Sequence, residues 1–139
     1  MRYLFILITY LLFTADSCKK TSGDCPANQI CTADFRTVTV TITQAGNPYR
    51  LDSFFTKKNT TGEILVPQAS IPRYEDSAYK ANGVYPIISD GQMNKTSKNG
   101  EAFTFYGYKN GVETIHEPYV LGHDCCHVTL ISGNAFLTR

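Results

Sequence analysis

Alternation of apolar and polar side chains organises most of the chain after residue 35. Val38, Val40 and Ile42 alternate with Thr37, Thr39, Thr41 and Thr43. A period of two with β-branched residues at nearly every position predicts a strand over residues 35–43, its Val/Ile face toward the core. Ala45, Gly46, Asn47 and Pro48 predict a turn, because Gly and Asn tolerate left-handed backbone and Pro cannot donate into a ladder. A second strand over residues 49–56 is expected to pair back on the first, with a short third over residues 63–66. Residues 73–81 (RYEDSAYKA), bracketed by Pro72 and Asn82-Gly83, suit either two turns of helix or an irregular connection. Residues 83–89 return to strand character, and Pro86 points to an edge or a bulge.

The strongest local signal is a hairpin. Residues 103–109 and 112–119 flank Asn110-Gly111, the dipeptide that favours a two-residue type I′ turn. Phe103 and Phe105 share a face, Tyr106 and Tyr108 are offset from them, and Pro118 is expected to limit pairing at the far end. Residues 125–131 and 135–138 read as further strands. Seven to eight short strands with regularly spaced turn signals predict an all-β fold, an antiparallel β-sandwich.

The N-terminus has a different pattern. Residues 3–13 (YLFILITYLLF) are apolar apart from Thr9 and the tyrosine hydroxyls. A spanning helix needs roughly 20 apolar residues, so this run reads as the core of an export signal. Thr14-Ala15-Asp16-Ser17-Cys18-Lys19-Lys20 follows. A small residue before a cysteine, just after the apolar run, resembles the lipobox of bacterial lipoproteins, and Ser-Cys-Lys-Lys is similar to the looser boxes of Bacteroidetes-type members. The match departs from the usual box at Asp16 and lacks a Leu three residues before Cys18. The resemblance implies cleavage before Cys18, lipidation of Cys18 and a membrane partner through that anchor. It divides the chain into a signal peptide (1–17), a tether (18–24) and one sandwich domain (25–139), and it implies the bacterial cell envelope, anchored at the outer membrane. The alternative is an ordinary secretory signal that leaves Cys18 as an odd thiol.

Charge excludes one class of partner. The whole chain carries a formal +1, and removing residues 1–17 takes away one Arg and one Asp, so the balance is unchanged. Lys19-Lys20 and Lys57-Lys58 are isolated pairs, not the clustered basic surface that nucleic acid requires.

Export changes the reading of the cysteines. An oxidising compartment favours disulfides among Cys25, Cys31, Cys125 and Cys126, and four cysteines allow three connectivities. Joining Cys25 and Cys31 to Cys125 and Cys126 would staple the two ends of the domain. Adjacent residues of a regular strand point to opposite faces, so one segment reaches both only if Cys125 sits in a bulge or in the turn after Gly122. The alternative is a local Cys25–Cys31 loop with a vicinal Cys125–Cys126 bond. A metal reading also exists, because the thiolates and imidazoles of His123, Cys125, Cys126 and His127 suit zinc or copper, with His116 as a further ligand. An enzyme would need a free thiol beside an imidazole, and no nucleophile elbow, phosphate loop or metalloprotease motif is present. Tyr106, Tyr108 and Tyr119 are candidates for a binding surface facing an envelope protein or a glycan, and the bland reading makes them core-edge residues.

Residues 38–42 with Gly46-Asn47-Pro48, and Gly83-Val84-Tyr85 with Ser89-Asp90-Gly91, are similar to transthyretin-like and carboxypeptidase-regulatory-like β-sandwich domains. The similarity spans residues 35–91 and implies a sandwich with a non-catalytic accessory role. The functional expectation is a lipid-anchored envelope sandwich with a structural or binding role. The alternative is a periplasmic metal-binding or thiol-redox protein built on His123, Cys125, Cys126 and His127.

Overall fold

The computed structural model describes residues 25–26, 28–65 and 73–139; the expected signal peptide, Cys18 and the tether lie outside them. Among the described residues nine strands form two sheets. The first is built on β1 (Thr37–Gln44), which pairs with β2 (Asn47–Pro48), β5 (Val84–Ser89) and β9 (Phe136–Thr138). The second runs β4 (Ile64–Leu65), β3 (Ser53–Lys58), β6 (Glu101–Lys109), β7 (Val112–His123), β8 (Val128–Ser132). Helix α1 (Arg73–Ala81) and a 3-10 turn over Asp90–Lys95 flank β5. The fold is the all-β sandwich that the alternation predicts. All pairings are antiparallel except β1 with β9, which is parallel.

The core lies between the sheets. Val40, Ile42, Tyr85, Ile87, Ile88, Phe103, Phe105 and Leu121 are fully buried. Val40 and Ile42 are therefore the inward face of β1, as period two requires. Ala45-Gly46 and Asn110-Gly111 both have two consecutive positive φ values, the backbone of type I′ turns.

Three boundaries differ from the sequence expectation. The second strand does not continue back along β1. Only Asn47 and Pro48 pair there, and β3 joins the other sheet, against β6. The reason is Tyr85, whose buried phenol accepts the Leu51 N–H and donates to the Tyr49 carbonyl, both at 2.7 Å. One side chain thus satisfies the backbone where the chain crosses between sheets. Pro118 does not stop the hairpin: β6 and β7 stay paired through Thr104–Pro118 to Glu101–Leu121. β8 pairs with β7 from Val120 onward, so Pro118 needs to supply no donor to the β8 ladder. Pro86 has both expected features, since β5 has β1 as its strand partner on one side and the register shifts beside Pro86. Finally, β8 begins at Val128 rather than at residue 125, which leaves both adjacent cysteines in a loop.

Candidate functional site

The loop of residues 124–127 joins β7 to β8 and receives the N-terminal segment. Asp124 shapes it. Its Oδ1 accepts the backbone N–H of Cys126 at 2.9 Å and of His127 at 2.7 Å, while the Asp124 N–H reaches the His127 carbonyl. His123 Nδ1 accepts the Cys125 N–H at 3.1 Å. Cys125 adopts φ +78, in the left-handed region. That kink removes the alternation that would send adjacent side chains to opposite faces.

Both cysteines consequently face the same segment. Cys25 is bonded to Cys125 and Cys31 to Cys126, with Cα–Cα separations of 5.5 and 5.3 Å, inside the range a disulfide spans without backbone movement. The vicinal alternative is thereby replaced by a two-pronged clasp. Gln29 adds a donor to Cys126 Sγ at 3.6 Å.

His127 is the centre of the clasp. It is buried, not a partly exposed turn residue as a reading of the loop alone would have it. Its Nδ1 lies 2.8 Å from Asp90 Oδ2 and its Nε2 lies 3.0 Å from Thr32 Oγ1. Asp90 also accepts the backbone N–H of Arg36 and of Val128, each at 2.8 Å. Burial pushes the Asp90 carboxyl up, but these hydrogen bonds and His127 outweigh it and hold its pKa below the ordinary 3.8. An ionised carboxylate only accepts, so His127 Nδ1 carries a proton toward it. A hydroxyl, an imidazole and a carboxylate in this order can activate a nucleophile. Here Thr32 is exposed on the clasped segment, and its contact joins that segment to the sandwich.

Asp124 is likewise held below 3.8, first by the His127 N–H and then by the Cys126 N–H. Both carboxyls therefore bind protons less readily in the folded than in the unfolded chain. Their stabilisation is complete above the ordinary value and is lost as the pH falls through the lower folded values. Thermal melts between pH 7 and pH 2 should show a steep loss of stability below about pH 4. Asp90→Asn should lower the melting temperature at pH 7 and flatten that acid limb.

The expected metal ligands are committed elsewhere in the oxidised chain. The sulfurs of Cys125 and Cys126 are in disulfides, and both ring nitrogens of His127 are engaged. Cys25, His123 and Cys125 bring ligand atoms within 4.8 Å of one another, but two of these are the bonded sulfurs. Ligation there would require reduction first. His116 lies far along β7 and pairs with Glu113 Oε1 at 3.0 Å.

The three tyrosines separate. Tyr106 and Tyr108 lie on the outward face of β6, where Phe55 of β3 stacks on both, with centroids at 5.0 and 6.0 Å. Tyr119 is not part of that surface. It pairs with Phe103 on the inward face, is buried, and donates its hydroxyl to the Asn134 carbonyl at 2.8 Å. Burial, with the nearby Glu117, raises its pKa far beyond the ordinary phenol range. Sequence reasoning missed Thr32, Asp90 and Phe55. Asp90 carries a turn signal with Gly91, but nothing local links it to a histidine 37 residues away.

The geometry defines a disulfide-clasped all-β protein. Comparison of the chain with protein-family models, with curated proteins and with solved structures found no match. Among the described residues no helix is long and apolar enough to cross a membrane.

Proposed function

We propose that this chain is a lipid-anchored β-sandwich of the bacterial cell envelope with a binding rather than a catalytic role. The observation that carries the reading is the double clasp. Cys25 and Cys31, the first cysteines after the lipobox-like Ser17-Cys18, are both spent in disulfides to the far end of the chain. Two such bonds belong to an oxidising compartment outside the cytosol, and they account for every cysteine of the sequence except Cys18. Six residues separate Cys18 from Cys25, a reach of at most about 25 Å, so an anchor at Cys18 would hold the clasp near the bilayer. β7 then leads away from that end, rising roughly 23 Å from His123 to His116. The aromatic cluster of Phe55, Tyr106 and Tyr108 would stand at the membrane-distal end, open to a partner.

The test is metabolic labelling with a palmitate analogue, followed by detergent phase partition. The wild-type chain should take up label and enter the detergent phase, and Cys18→Ala should do neither. An unlabelled wild-type chain that partitions into the aqueous phase would remove the anchor from the reading. The alternative thiol-redox or metal role rests on the closeness of Cys25, His123 and Cys125. It requires free thiols in the protein as isolated, which a thiol count without reductant reads directly.

A further inference from the structure

The outward face of the second sheet carries a strip with its own chemistry. Along β6 the outward side chains are Ala102, Thr104, Tyr106 and Tyr108, a rise of roughly 20 Å. Opposite them on β7 stand Val120, Pro118 and His116. At one end Phe55 stacks between Tyr106 and Tyr108, and the His116 ring meets Tyr106 edge-on at 4.8 Å. All three stacked rings remain partly exposed. At the other end lies a groove of about 310 Å³ whose lining includes Ala102, Pro118 and Val120 between Asn59 on one side and Glu117 and Asn134 on the other.

The polar groups along the strip are fixed by hydrogen bonds. Thr104 Oγ1 donates to Asn59 Oδ1 at 2.9 Å, whereas Glu117, in register with the inward Phe105, belongs to the opposite face, where Asn134 Nδ2 donates to its Oε1 at 2.8 Å. The bond to Thr104 orients the Asn59 amide nitrogen without engaging it with another described residue. Lys57, in register with Thr104, brings one cation to the strip. Glu113 is engaged by His116 and by the Tyr108 hydroxyl, and Lys58 pairs with Glu101.

Aromatic rings followed by an amide match one ligand chemistry. Ring faces and edges pack against the C–H faces of a sugar, and fixed planar polar groups bond its hydroxyls. The apolar area is small for a protein partner. Three rings of 150–250 Å² each, already partly covered, fall short of the roughly 800 Å² that a stable interface buries per side. We infer that this strip, from Phe55, Tyr106 and Tyr108 to Asn59, binds a short oligosaccharide. The inference deepens the binding role proposed above and is independent of the anchor.

The test uses the full-length, oxidised chain in a zwitterionic detergent without a sugar headgroup. Titration calorimetry is run against linear tetra- to hexasaccharides from cellulose, xylan, chitin and mannan, and against peptidoglycan glycan strands stripped of peptide. At least one should bind. Phe55→Ala and Tyr106→Ala should each weaken it ten-fold or more, whereas Tyr106→Phe, which keeps the ring, should stay within about three-fold of wild type. Unchanged thermal melts would show that the alanine variants are folded. Binding that persists in Cys18→Ala keeps the inference even where the anchor reading fails. It is overturned if no saccharide binds at millimolar concentration, or if Phe55→Ala and Tyr106→Ala bind as well as wild type. It is also overturned if the strip instead captures an envelope protein in cross-linking and no saccharide competes.

Discussion

Replacing both cysteine pairs with serine is expected to destabilise the chain by up to about 7 kcal/mol, whereas replacing either pair alone should cost only about 2–3 kcal/mol. The asymmetry follows from loop closure. The first bond formed closes a loop of 95 or 100 residues, worth about 4.7 kcal/mol in the entropic model. The second then closes only the small ring between Cys25 and Cys31 across the adjacent Cys125 and Cys126, worth about 2.6 kcal/mol by the same relation. Either surviving bond keeps the long loop closed, so the single-pair losses sum to less than the double loss. The full figure is an upper bound, because a reduced native chain regains freedom in the segment before β1. Since domains of this size have only about 5–15 kcal/mol in total, reductant should bring the protein close to unfolding. Urea melts of the oxidised chain, the two single-pair variants and the four-serine variant read all four values. Strict additivity would show that the two bonds do not share a loop in the unfolded chain.

Tyr85→Phe should cost about 3 kcal/mol, although it removes one oxygen and no ring. The ring packs edge-on to Phe54 at 5.0 Å and tilted to Phe105 at 6.4 Å, and phenylalanine preserves both contacts. What disappears is the bridge across the crossover, leaving the buried Leu51 N–H and the Tyr49 carbonyl without the phenol. Each unsatisfied buried group costs about 1–3 kcal/mol. Thermal denaturation reads the loss, and hydrogen exchange at the Leu51 amide should accelerate in step with it. A loss below about 1 kcal/mol would mean that water or a local shift replaces the phenol.

The sandwich was legible because it rests on local chemistry. Val38 to Ile42 and Phe103 to Phe105 state their own inward faces, and Asn110-Gly111 states its own turn. The clasp was half legible. The need for a kink at Cys125 follows from the geometry of adjacent residues, but which cysteine meets which depends on the path of the segment between Cys25 and Cys31. The divergence of Tyr119 from Tyr106 and Tyr108 follows from counting along the hairpin from Phe103, with the register of β6 on β7 known. The wrong pairing of the second strand had a tertiary cause, because nothing near Tyr49 announces that Tyr85 will satisfy its backbone.

The sequence by itself determined the class of fold, the hairpin, the pool of cysteines and the lipobox-like start, because each is written in neighbours a few residues apart. Tertiary structure alone decided the disulfide partners, the burial of His127 between Thr32 and Asp90, and the meeting of Phe55 with Tyr106 and Tyr108. Those contacts join positions separated by 37 to 100 residues, and only the pairing of β3 with β6 and the packing of the chain's distant segments bring them together.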